Sequence, residues 1–125
     1  MKIKTTFCKG ENPNSGRIYS PEVIEIFEHQ LSDKIQRNRC MVETWHGEHG
    51  SDIIPENVVG IVTDYEWTDD DWLVIDVKPR NVPASKGLID GCIIQAYISA
   101  RVFDDTGVVM ADDFTFIKFV HCTEL

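Results

Sequence analysis

Four histidines occur in the 125-residue chain, and two of them, His46 and His49, stand in the run His46-Gly47-Glu48-His49-Gly50. Glycines there let the backbone turn tightly and present a polar side chain to a cleft. An imidazole titrates near neutrality, so such a loop suits general-base work, although a solvated polar loop would have the same composition. A zinc site built on His46 and His49 is not expected, because the helical H-E-x-x-H spacing is absent and no cysteine is near in sequence. The second candidate is the run from Ile93 to Phe103, read as one strand. Alternation puts Gln95, Tyr97, Ser99 and Arg101 on one face and Ile94, Ile98, Ala100 and Val102 on the other. Ser99, two residues before Arg101 on that polar face, suits a nucleophile beside a cation that orders a developing oxyanion. The plain alternative is a strand with one wet face whose Arg101 pairs with an acid. No G-x-S-x-G elbow, phosphate loop or dinucleotide fingerprint is present. The residues alone supply a histidine-bearing loop and a serine-bearing strand, which only a fold can bring together.

The elements that must position them are legible in outline. Residues 2 to 8 alternate Ile3, Thr5 and Phe7 with Lys2, Lys4 and Thr6, the pattern of a strand with one buried face. A turn-rich loop from Lys9 to Tyr19 follows. Ser20-Pro21 opens a helix, with Ser as N-cap and Pro in the first turn. Val23, Ile24, Phe27, Leu31 and Ile35 recur at spacings of three and four and form its apolar stripe. Short period-two runs then predict strands over Cys40 to Trp45, Val58 to Trp67, Trp72 to Val77, Ile93 to Phe103, Val108 to Met110 and Phe114 to Cys122. Thr68 to Asp71 and Asp104 to Gly107 read as hairpin turns, and Ala84 to Asp90 as a short helix weakened by Gly87. The expected architecture is α+β, a small, mainly antiparallel β-barrel or curved sheet with one main and one short outer helix, in a single domain over residues 1 to 125.

Composition narrows the function classes. A net charge of −9, from 21 acids against 12 bases, argues against a nucleic-acid surface, which needs clustered Lys and Arg. No apolar run approaches the roughly 20 residues of a membrane span, and no signal-peptide pattern opens the chain. Neither membrane nor nucleic acid is therefore an expected partner. Cys8, Cys40, Cys92 and Cys122 are scattered without a C-x-x-C pair and are expected as reduced, mostly buried thiols of a cytoplasmic protein.

Several motifs recur in a telling order. A first strand leads to Asn14-Ser15-Gly16-Arg17-Ile18-Tyr19-Ser20-Pro21 and a helix. Then come Gly47-Glu48-His49-Gly50, the run Val58-Val59-Gly60-Ile61-Val62-Thr63-Asp64 with Trp67, the tetrad Ile98-Ser99-Ala100-Arg101, and Asp113-Phe114-Thr115-Phe116. In order and content the chain resembles the prohead (capsid-maturation) serine proteases of tailed bacteriophages, which share a fold with the herpesvirus assemblins. The resemblance spans nearly the whole chain. It departs in a shortened histidine segment without Pro, in Ala100 where the family has a second Ser, and in Val102 where the family has Gly after Arg.

What the resemblance implies is a serine endopeptidase that cleaves scaffold and capsid precursor proteins in the prohead, within the host cytoplasm. His49 would be the general base, Ser99 the nucleophile and Arg101 an oxyanion stabiliser, with no cofactor or metal. The third catalytic member is left among Asp113, His121 and Glu48. Partners would be phage scaffold and capsid proteins, with the chain acting as a monomer or a homo-oligomer. The alternative is a noncatalytic capsid-assembly or structural head protein of the same fold, for which the short histidine segment and the stop at Leu125 are the supporting features.

Overall fold

The computed structural model describes residues 1–44, 53–86 and 93–122. Ser20 caps the helix α1 (Pro21–Gln36) by accepting the Val23 amide on its hydroxyl at 3.3 Å, and Pro21 takes the first helical position, where no amide partner is needed. The stripe of Val23, Ile24, Phe27 and Leu31 is buried. Phe27 stacks on Phe7 at 4.3 Å between ring centres and meets Phe116 edge-on at 5.2 Å. Burying a ring of this size stabilises the fold by about 1.5–3 kcal/mol. Polar clamps fix the helix to the strands. Gln30 donates to the Phe114 carbonyl at 2.9 Å and accepts the Phe116 amide at 2.7 Å, while Tyr65 and Trp67 both donate to the Glu28 carboxylate.

The described residues form ten strands: β1 (Lys2–Cys8), β2 (Gly10–Glu11), β3 (Ile18–Tyr19), β4 (Met41–Thr44), β5 (Val58–Trp67), β6 (Trp72–Pro79), β7 (Ile93–Ser99), β8 (Val102–Phe103), β9 (Val108–Val109) and β10 (Thr115–Cys122). Six of them make one sheet in the order β1-β6-β5-β4-β10-β7. All its pairings are antiparallel except β4 with β10. The sheet curls until its two edges approach, where the Thr6 hydroxyl on β1 donates to the Ile94 carbonyl on β7 at 3.4 Å. The result is a nearly closed barrel of the α+β kind expected. A second sheet, β2-β3-β9-β8, sits beside the seam.

Two departures from the sequence reading bear on the site. The Lys9 to Tyr19 run, expected as loop, contributes β2 and β3. The Ile93 to Phe103 run is two strands: pairing with β10 stops at Ser99 opposite Thr115, and the Arg101 carbonyl accepts the Met110 amide instead. The chain changes partner at Ala100 and passes to the second sheet as β8. Of the short helix expected over 84–90, a single turn over Pro83–Ser85 is described, and residues 87–90 lie outside the described residues. Among the described residues no helix is long and apolar enough to cross a membrane.

Register sorts the faces. Val42 on β4 stands opposite Phe119 on β10, and both are fully buried in the core with Ile94 of β7. Cross-strand partners share a face, so Glu43 with Val120, Lys118 with Tyr97, Val120 with Gln95, and Thr115 with Ser99 all belong to the opposite face. The polar face expected for the serine strand is therefore present from Gln95 to Ser99.

Candidate active site

Ser99 is the last residue of β7 and is exposed. Its neighbours on the strand, Ile98 and Ala96, pack against the core, which holds the strand while its end stays accessible. Arg101 follows just beyond the strand. Its guanidinium lies 3.4 Å from the Asp113 carboxylate, and both side chains are mostly in water, so the pair contributes little to stability. Asp113 adopts a positive φ of 60° in the turn before Phe114, a conformation that Asp tolerates better than most residues. Ser99, Arg101 and Asp113 thus gather at one end of the β7/β10 pair.

His121 lies elsewhere. It is buried on β10 opposite Ile94, five residues along β7 from Ser99, or roughly 17 Å at the usual rise of a strand. It belongs to the core-facing side of β10, alternate to Lys118 and Val120. His49 and Glu48 lie outside the described residues. Among the described residues no group of three or more His, Cys, Asp or Glu side chains is placed to hold a metal ion.

One feature of this face escaped the sequence reading. Lys118 and Glu43, both almost completely buried, form an ion pair at 2.5 Å on the same face as Tyr97 and Ser99. The other carboxylate oxygen of Glu43 accepts the Ile54 amide at 3.1 Å, which brings Ile54 to this face. The Lys118 ammonium also sits 5.8 Å from the centre of the Tyr97 ring, within reach of a cation–π attraction. Taking two charges out of water is costly, and only close pairing makes it tolerable. The usable signal was Lys118 itself, the single charge in the apolar run Phe116-Ile117-Lys118-Phe119-Val120, since a lysine is almost never fully buried without a partner.

The Asn14 to Tyr19 motif takes its place at the barrel seam. Asn12 is buried and donates to the Thr6 carbonyl on the β1 edge at 2.7 Å, while its side-chain oxygen accepts the amides of Asn14 and Ser15. The turn is thereby pre-formed. Ile18 donates to the Gly107 carbonyl at 2.8 Å, which ties the motif to the hairpin that follows Ser99. Gly107 is required there: its φ is +79°, and a Cβ on it would fall 2.4 Å from the Gly16 carbonyl oxygen. Tyr19 leans on Phe7 at 4.7 Å, and burial pushes its phenol up from its ordinary value.

No protein-family model and no curated protein matches this chain. Among solved structures it is similar to the bacteriophage T4 capsid assembly protease, gp21, with a TM-score of 0.66 and 15% sequence identity over 95% of this chain and 80% of that one. At that identity the likeness is one of fold, and the chain shares its fold with a phage capsid assembly protease.

Proposed function

We propose that this chain is a serine endopeptidase of the prohead-protease kind, acting on scaffold and capsid precursor proteins during phage head maturation. The observation that carries the reading is the exposed Ser99 at the end of a core-anchored strand, in a fold shared almost end to end with a capsid assembly protease. In this reading His49 takes the Ser99 hydroxyl proton as the oxygen attacks the scissile carbonyl carbon. Arg101 and backbone amides stabilise the resulting oxyanion. The C–N bond then breaks, the leaving amine receives the proton from His49, and water attacks the acyl-enzyme by the same base catalysis. No cofactor takes part. The third member is left among Asp113, which lies beside Arg101, Glu48, next to His49 in sequence, and His121.

A second reading, a noncatalytic head protein of the same fold, draws on the fact that Arg101 is already engaged by Asp113. Assaying purified variants on precursor substrate within assembled proheads separates the two. Ser99→Ala and His49→Ala are each expected to abolish cleavage, with no further loss in the double variant, because both serve one proton-transfer step. Arg101→Ala is expected to be milder, about a hundred- to a thousandfold. Cleavage by a well-folded Ser99→Ala protein would remove Ser99 as nucleophile. An inert wild type in assembled proheads would favour the structural role.

A further inference from the structure

Two features that a stable fold could do without stand together beside Ser99. The first is a β-bulge. Between Phe116 and Lys118 the strand β10 advances two residues while β7 advances one, so Ile117 is the extra residue. The second is the ion pair of Lys118 with Glu43, whose side chains are 1% and 2% exposed. Well-packed apolar residues of similar volume are often as stabilising as such a pair, or more so. Bulges recur next to active sites, where they re-aim a side chain.

The bulge accounts for the pair. Under strict alternation Ile117 would share the face of Thr115 and Ser99, and Lys118 would share the core face with Phe116. The extra residue reverses that parity, so Lys118 and Val120 keep the face of Thr115 while Phe119 keeps that of Phe116. Lys118 thereby meets Glu43 of β4, and its ammonium lies 5.8 Å from the centre of the Tyr97 ring. Tyr97 is two residues before Ser99 on the same face of β7, about 7 Å along a strand. Both ends of the bulge are held. On one side Gln30 of α1 clasps the Phe114 carbonyl and the Phe116 amide, and Thr115 inside that clasp is the residue opposite Ser99. On the other side Glu43 holds Lys118.

We propose that Lys118 is a positioning residue for Ser99: anchored on Glu43, it fixes the bulge and the Tyr97 ring, and with them the end of β7 that presents the Ser99 hydroxyl. What the fixed hydroxyl does rests on the endopeptidase reading; the anchoring does not.

The test uses the full chain carrying Lys118→Met together with Glu43→Gln, which removes both charges and leaves neither buried alone. The Ile94 carbonyl points away from β10 to accept the Thr6 hydroxyl, so by alternation the amides of Tyr97 and Ser99 point toward β10. Their hydrogen exchange, taken relative to the amide of Ile75 in the inner strand β6, is expected to rise about tenfold or more in the double variant. In a precursor-cleavage assay kcat is expected to fall about a hundredfold with KM within about threefold, the effect of displacing a reacting group by about 1 Å. Tyr97→Leu, which leaves the ion pair whole, is expected to act in the same way and serves should the double variant fail to fold. Exchange at Ser99 that keeps step with Ile75 would overturn the proposal whatever happens to cleavage. Given a wild type that cleaves, an undiminished kcat in the double variant would overturn it as well, with or without a change in KM. Raised exchange at Tyr97 and Ser99 beside a wild type that cleaves nothing would uphold the anchoring and remove the endopeptidase.

Discussion

Replacing Lys118 by Met tests the buried pair directly. The change keeps the apolar stem that lies among Tyr97 and Val120 but removes the ammonium held 2.5 Å from Glu43. With both side chains almost wholly out of water, the Glu43 carboxylate is left without its countercharge, a situation that costs about 3–5 kcal/mol. Domains of this size have a total stability of about 5–15 kcal/mol, so the loss is a large fraction of the whole. At about 3–6 °C per kcal/mol, the thermal midpoint is expected to fall by roughly 10–30 °C. Adding Glu43→Gln removes the second charge and keeps an oxygen for the Ile54 amide, and the double variant should return to within about 1–2 kcal/mol of wild type. Urea unfolding of the wild type, both single variants and the double variant at pH 7 closes the cycle and yields the coupling energy. Lys2→Met, which breaks the exposed contact of Lys2 with Glu66 at 2.9 Å, is the control and should leave the midpoint essentially unmoved. A Lys118→Met protein within about 1 kcal/mol of wild type would mean that water reaches Glu43, and the argument from burial would fail.

Gly107→Ala should destabilise the chain by more than the roughly 1–2 kcal/mol that a left-handed conformation costs an L-residue, because its Cβ also meets the Gly16 carbonyl. Urea unfolding measures the loss, amide shifts should change together at residues 14–19 and 102–109, and an unaltered midpoint would refute the close approach. Burial pushes the Cys40 thiol up to about 12, so Cys40 should resist disulfide reagents at pH 8 until the protein unfolds. Because that value is raised in the folded state, the stability tied to the neutral thiol is full below the unfolded value near 9 and is lost as pH rises toward 12. A urea midpoint that falls between pH 8 and pH 10.5, and falls less in Cys40→Ala, is the expected result; equal slopes would contradict it.

Local chemistry was readable without the fold. Ser20 caps α1 because its hydroxyl reaches an amide three residues away, and the stripe from Val23 to Leu31 follows from 3.6 residues per turn. The strand from Val58 to Trp67 and the turn at Thr68 to Asp71 are likewise set by neighbours within a few positions. The alternation that put Gln95, Tyr97 and Ser99 on one face needs only the pleat of a strand.

Long-range pairing was a different matter. That β10 lies parallel to β4 joins residues 77 positions apart, and nothing in either strand names the other. Only this pairing brings Lys118 to Glu43 and makes two scattered charges one buried pair. The break at Ala100 was equally hidden, since Val102 and Phe103 continue the alternation of β7 while their backbone pairs with β9. The tight Asn12 turn was foreshadowed by Asn, Ser and Gly, but its place beside β7 depends on the barrel curling until β1 and β7 meet. Side-chain type and period are properties of a few consecutive residues. Which edges meet, and which charges are shut away from water between them, is decided by the closure of the whole sheet.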